Sequence, residues 1–590
     1  MPRTTSRPLG RRSFLALSAA LLCATSVSAQ GALTQREVID AHVQAGVVGA
    51  DISSARIAEL AEKYGMDALE LSAELKRDED IVISPDNRIV YVDRGLLAAG
   101  SANDGDESDN QDTYGISSAD AFTLNSRPGA NKTLYMDFTG HHSVSNSWGH
   151  NIQFPAYDTN GDPNNFSDAE RDQIIRWWLY VVEDFAPFDL NVTTQDPGLS
   201  ALTRNGGGDQ TYGTRCVITQ PTSGFGDGIG GVAQLYSFND SIDNPVFAFN
   251  KGDNTGSMTV SHEVGHAMGL SHDGLNGASY HPGTGSGSTS WGPIMGAPFS
   301  SSLVQWSDGD YSGASTSQND LAIINGGINN IPYLSDDHGD GFGSGSPMSA
   351  AEGCPTPIPA RGSGTLGRSF DTDAHTYAHQ GGAVVFEAAR NDPGGNLDLR
   401  LQVFDPAGVM IADVNPNNDA NASVDLDVPP GIYTMVVDGV GKSGVYDDYG
   451  SVGQYTVSAF PGGPESIVKF GEGVTGFFGV PPSIGVSGLT CPGEPVSLNL
   501  LQAAPSSTAF LCVGAAELNV PFKGGVLIPD VTGPGFFVSL PVTFFGSASL
   551  NAAWPTGLPS GVSLYFQYWV IDASAVAGFS ATQGVRMTQP

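Results

Sequence analysis

Basic residues are scarce in this sequence. The 590-residue chain has 26 Lys and Arg against 62 Asp and Glu, a formal net charge of −36. A polyanion of this kind has no electrostatic route to phosphate backbones or anionic membranes, which argues against nucleic acid as a partner. Charge of either sign is sparse, at 15% of residues against roughly 25% in an ordinary soluble domain. With 76 Gly, this composition fits strands joined by turns better than long solvated helices. Past the N-terminus no segment reaches the ~18 apolar residues of a membrane span, so no transmembrane segment is expected. Cysteine is rare, with five in all and none at CxxC spacing. What is present is apolar material, including 28 Phe, 18 Tyr and 7 Trp, enough for real cores. At about 150 residues per domain, the length suggests three to four domains.

The first residues read as an address. Arg3, Arg7, Arg11 and Arg12 precede the apolar run Phe14 to Leu22, and Val27-Ser28-Ala29 is a small-residue cleavage site. Residues 1–29 are therefore expected to be a signal peptide, possible twin-arginine type from Arg11-Arg12-Ser13-Phe14-Leu15, and the mature chain to be extracellular. Loss of Cys23 leaves Cys216, Cys354, Cys491 and Cys512 in an oxidising compartment. Cys491 with Cys512 is the expected pair and Cys216 with Cys354 a second; two buried free thiols are the alternative to the latter.

Helical periodicity in Thr34 to Ala45 and Ile52 to Leu75 is followed by the acidic, pattern-free stretch Ser101 to Asp112. This predicts a small helical propeptide with an acidic linker over 30–126; a small N-terminal helical domain is the alternative. Residues 127–335 mix strands, such as Thr133 to Phe138, with helices, one opened by the capping box Ser167-Asp168-Ala169-Glu170 and others near Ser257 and Ser317. A linker is expected at 336–362, flexible through its low-complexity Gly339 to Pro347. Alternation at Leu397 to Val403 and Ala422 to Val428 then predicts a β-sandwich over 363–461, with a second of unknown role over 462–590.

The chemistry concentrates in His262-Glu263-Val264-Gly265-His266-Ala267-Met268-Gly269-Leu270-Ser271-His272-Asp273. On a helix, residues four apart share a face, so His262 and His266 can reach one Zn²⁺ at ~2.0–2.1 Å. Glu263 sits beside the first ligand, where its carboxylate can hold a water and accept its proton. Gly269 can take the left-handed conformation that ends a helix, turning His272 back as third ligand. Three ligands plus a carboxylate mark a catalytic site rather than a closed structural one. By composition, the added Gly and His make coincidence roughly 400-fold rarer than for HExxH alone. The plain alternative is a partly buried His pair on an ordinary helix.

This pattern resembles the extended HExxHxxGxxH signature of the metzincin zinc endopeptidases. Gly292-Pro293-Ile294-Met295-Gly296, 23 residues past His272, is similar to their Met-turn, and Asp273 is similar to the reprolysin (adamalysin) branch. The resemblance implies a mixed-sheet catalytic domain, Met295 as an apolar floor beneath the ligands, and Glu263 as the catalytic residue. It also implies that an edge strand, here Gly231, Val232 and Ala233, pairs with extended protein or peptide substrates; an ordinary sheet strand is the alternative. Ala297 stands where some members carry a Tyr ligand, so that ligand is absent. Matrixin-type propeptides block zinc with a Cys; Gln30 to Ser126 contains none, so any latency must come from a carboxylate or steric cover.

Residues 363–461 resemble the bacterial pre-peptidase C-terminal domain through Gly395 to Asp398, Gly431 to Gly439 and Asp447 to Gly450. Asp371, Asp373, Asp398, Asp438 and Asp448 are candidates for structural Ca²⁺, with solvated turn carboxylates as the alternative. Asp158 to Asp162 reads as a turn, His281 as a solvated surface residue, and His141, His142 and His150 receive no role. The expectation is a secreted zinc-dependent endopeptidase. The alternatives are a zinc hydrolase of a non-peptide acyl bond and a surface adhesion protein with a vestigial module.

Overall fold

The computed structural model describes residues 47–48, 52–96, 116–219, 229–350, 360–461, 467–488, 490–543, 546–559 and 561–589. The expected signal peptide, the helix at Thr34 to Ala45 and the acidic linker lie outside the described residues, as does Cys354.

An eight-stranded sheet organises the N-terminal half, in the order β1 (Val47–Val48), β2 (Ile81–Ile83), β3 (Ile89–Val92), β9 (Gly231–Gln234), β10 (Val246–Ala248), β8 (Tyr212–Ile218), β4 (Lys132–Asp137), β7 (Leu190–Thr193). From β1 to β10 neighbours run antiparallel; β10, β8, β4 and β7 are parallel. β4 is buried along its length, as a strand covered on both faces must be. The hairpin β5 (His141–Asn146) and β6 (Gly149–Phe154) stands apart as its own two-stranded sheet.

Residues 47–96 are not purely helical. Two helices, α1 (Ser54–Tyr64) and α2 (Ala68–Arg77), occupy the stretch read as helical, with Ser53 and Asp67 as side-chain N-caps and Gly65 ending α1. Behind them, the β-branched runs of β2 and β3 extend the main sheet. Val82, Val90 and Val92 share a core with Val217, Val232 and Phe247, so this unit is continuous with the α/β domain.

α3 (Asp168–Asp184) opens on the expected capping box: Ser167 Oγ accepts from Glu170 N–H, and the Glu170 carboxylate accepts from Ser167 N–H. It buries Ile174, Ile175, Trp177, Trp178 and Val181 against α4 (Asp253–Met268) and the sheet. α4 begins earlier than Ser257, at Asp253, and is buried all round from Gly256 to Met268, so it has no solvent face to produce a periodic signal. The helix expected near Ser317 is α5 (Asp320–Asn325).

Two five-stranded sheets over 346–461 enclose one core that draws Leu399, Tyr433 and Met435 from one and Phe386 and Val457 from the other, forming a sandwich. Within the expected linker, Ser346–Pro347 pairs with the strand Thr372–His379, and His338 bonds Ser346 Oγ and Ser363 O, so this stretch is docked rather than free. A six-stranded and a three-stranded sheet build a second sandwich over 467–588. The Cys491–Cys512 pairing is incorrect. Cys512 and Cys216 are free and buried, while Cys491 is disulfide-bonded to a partner outside the described residues. Among the described residues no helix is long and apolar enough to cross a membrane.

The first sandwich packs on the α/β domain through buried polar contacts. Asn396 donates to Asp184 Oδ1 at 2.9 Å, Ser261 of α4 donates to Asp184 Oδ2 at 2.5 Å, and Gln454 N–H donates to Glu183 at 2.7 Å. Burial pushes the Asp184 carboxyl up to about 7, against hydrogen bonds from Asn396 and Ser261 that lower it.

Candidate metal centre

α4 carries His262, Glu263 and His266, all fully buried. Gly269 ends it in the left-handed region at φ 107°, and the Gly269 and Leu270 N–H groups bond the carbonyls of His266 and Gly265. The turned-back chain places His272 beside the other two rings. His266 Nε2 lies 3.1 Å from His262 Nε2 and 3.2 Å from His272 Nε2. Tetrahedral Zn²⁺ with ligands at ~2.0–2.1 Å sets such nitrogens about 3.3 Å apart.

The opposite ring nitrogens are all engaged. His262 Nδ1 meets Ile294 O at 2.8 Å, His266 Nδ1 meets Leu270 O at 2.7 Å, and His272 Nδ1 meets Asp78 Oδ2 at 2.5 Å. These contacts fix each tautomer and leave the Nε2 lone pairs converging on one point, the donor set expected for zinc. Met295 packs against α4: a Cβ on Gly265 would collide with its Sδ. A Cβ on Gly231 would likewise collide with Glu263 Oε1, so only Gly lets the strand approach the carboxyl this closely. Both Glu263 oxygens are buried without a hydrogen-bond partner, and burial together with the negative charge of Asp93 holds the carboxyl well above its ordinary range.

A fourth candidate ligand, Asp93, was not anticipated. Its Oδ2 lies 3.4 Å from both His262 Nε2 and His266 Nε2, and its Oδ1 lies 3.2 Å from His272 Nε2. The four side chains form a buried group able to hold one metal ion. Asp93 arrives there by strand register. β3 pairs antiparallel with β9 at Val92↔Val232, Tyr91↔Ala233 and Val90↔Gln234, and Asp93 N–H continues the ladder to Gly231 O at 3.1 Å. In this form Gly231, Val232 and Ala233 are therefore not at an edge: β3 covers one side and β10 the other. Tyr91 stacks on His266 with centroids 3.8 Å apart, and its hydroxyl donates to Glu74. Burial lowers His266 to about 4 despite Asp93. His272, between Asp78 and Asp93, is raised well above its usual value although burial opposes this.

The run Ile89-Val90-Tyr91-Val92-Asp93 carried a strand signal ending in a carboxylate. Nothing local tied it to histidines about 170 residues on. His281 is buried, with its ring edge-on to Trp291 and Tyr311, rather than solvated. Of the calcium candidates, Asp371 and Asp373 cluster with Asp336. Asp398 instead accepts from Tyr446, and Asp438 pairs with Arg400.

No family model matches the chain, and no curated protein matches it. Among solved structures it is similar to the Aeromonas hydrophila PliG, a periplasmic lysozyme inhibitor of g-type lysozyme, at 15% identity over 19% of this chain and 91% of that one, with a TM-score of 0.15. It is also similar to the pre-peptidase C-terminal domain of a Bacillus anthracis collagenase, at 15% identity over 17% of this chain and 87% of that one, TM-score 0.13. A Bifidobacterium dentium β-glucuronidase gives 8% identity over 36% and 38%, TM-score 0.11. These likenesses are local.

Proposed function

We propose that this chain is a secreted zinc endopeptidase of the metzincin kind, described here in a latent form. The observation that carries the reading is the convergence of three His Nε2 atoms beside a buried Glu, with the Asp93 carboxylate of the N-terminal unit reaching the same point. His262, His266 and His272 would hold the ion. When bound, Zn²⁺ supplies a Lewis acid that acidifies a water and polarises the scissile carbonyl. Glu263 takes the proton of the attacking water, whose oxygen adds to the carbonyl carbon. As the C–N bond breaks, Glu263 returns the proton to the departing amine nitrogen. Gly231, Val232 and Ala233 pair with the extended substrate once β3 has left them.

Latency follows from the same geometry. β3 occupies the strand-pairing groups a substrate needs, and Asp93 fills the position the water needs. The fill comes from a carboxylate, one of the two routes left open by the lack of Cys in Gln30 to Ser126. Cutting the acidic linker and releasing residues 1–100 is expected to switch on casein cleavage that a chelator quenches. In the cut protein, Glu263→Ala is expected to keep stoichiometric zinc and to lose at least about 10³-fold in turnover, within the range for a general base. Retained cleavage in that variant overturns the mechanism. Equal activity before and after cutting overturns latency.

A further inference from the structure

Tyr280 has no place in the mechanism so far, yet it stands at the metal centre. Its ring packs on His272 with centroids 4.3 Å apart and lies 6.2 Å from the ring of His262. Its hydroxyl donates to Asp80 Oδ2 at 2.7 Å and lies 3.4 Å from Asp93 Oδ1. That Asp93 oxygen is the one beside His272 Nε2, while Oδ2 of the same carboxylate faces His262 and His266. The Tyr280 hydroxyl is thus within reach of whatever oxygen replaces Asp93 there.

Both hydroxyl partners, Asp80 and Asp93, belong to the N-terminal unit, whereas Tyr280 belongs to the α/β domain, eight residues past His272. The unit also lies directly on the ring, since a Cβ on Gly95 would overlap Tyr280. Release of the unit therefore removes both acceptors and the cover in one event, leaving the Tyr280 O–H donor beside the vacated corner. A donor placed where negative charge develops stabilises the transition state more than the ground state, and losing one such donor typically costs 10²–10³-fold in kcat.

Resting on the peptidase reading above, we infer that Tyr280 is a catalytic residue that donates a hydrogen bond to the carbonyl oxygen of the scissile peptide as it becomes an oxyanion. The hydroxyl keeps its proton throughout, and Glu263 carries the proton traffic. The Asp80 and Asp93 carboxylates occupy this donor in the latent form and mimic the oxyanion it awaits.

The test compares wild type with Tyr280→Phe in the full chain cut at an engineered protease site in the acidic linker and separated from residues 1–100. Expected for Tyr280→Phe are a kcat about 100-fold lower with KM within about twofold, and a phosphinic peptide, a tetrahedral anion mimic, bound weaker by a similar factor. Zinc affinity, read by chelator competition, is expected to stay unchanged. The phosphinic affinity is also measured by calorimetry in a Glu263→Gln background, where turnover is absent and the contribution of the hydroxyl is read from binding alone. Unchanged kcat and phosphinic affinity overturn the inference while leaving the peptidase reading intact. Loss of zinc from Tyr280→Phe also overturns it, by making the residue structural. If the cut wild type neither cleaves peptide nor binds the phosphinic peptide, both readings fall.

Discussion

Two units on either side of the helix α4 in the sequence hold it with different chemistry. The N-terminal unit reaches the ring nitrogens of the histidines with ionised carboxylates, Asp93 at the Nε2 side and Asp78 at Nδ1 of His272. The first β-sandwich reaches the back of α4, at Ser261, through the Asp184 carboxyl that Asn396 shares from the other side. The first contact is with groups that a metal, a water or a substrate also wants, so it can be exchanged. The second is buried and satisfied within the protein, away from the histidine ring nitrogens. The histidines divide the same way. His262 and His266 are oriented by backbone carbonyls of their own domain, while His272 takes its partner from the N-terminal unit.

The sharpest way to break this comparison is Asp78→Asn. A partner that orients a metal-binding His is worth about 10–100-fold in metal affinity, so the intact chain is expected to lose zinc affinity by that factor in chelator competition. The cut chain loses Asp93 together with Asp78, so it should hold zinc no more tightly than the variant. Gly265→Ala acts from below, independently of both units. The new Cβ displaces Met295, and overpacking of this kind costs about 1–3 kcal/mol, to be read as a lower Tm in the intact and cut chains alike.

The last effect is a pH slope at the sandwich contact. Asp184 holds its proton up to about 7 when folded, against an ordinary 3.8, so the folded state retains a proton that the unfolded chain gives up. Stability should therefore fall as pH rises from about 4 to about 7 and level off above. Asp184→Asn is expected to remove that component from urea midpoints measured across the window. Glu183, raised to about 8 by burial, leaves a residual slope.

What was legible follows from separation along the chain. His262, Glu263, His266, Gly269 and His272 lie within one short segment, where helix geometry and a single left-handed turn convert spacing into a site. Asp78, Asp93 and Tyr280 reach that site through strand register and loop packing, which no local pattern encodes. The N-terminal unit was read as helical because its helices are amphipathic, although Ile81 to Ile83 and Ile89 to Val92 carried β-branched runs of strand type. The disulfide assignment failed for a related reason. Proximity in sequence favoured Cys491 and Cys512, yet in a sandwich neighbours along the chain commonly belong to different sheets.

The β3–β9 pairing has a quantitative consequence. A strand covalently tethered to its own docking site competes at an effective concentration that can reach the millimolar range. Severing the tether changes none of the hydrogen bonds along Val90 to Asp93, yet it turns a tethered ligand into a free one at the concentration of the protein itself. At micromolar protein that is about a thousandfold fall in competing strength from one broken peptide bond. On the latent-peptidase reading, the strand need bind only moderately well to be complete as an inhibitor while attached and negligible once released.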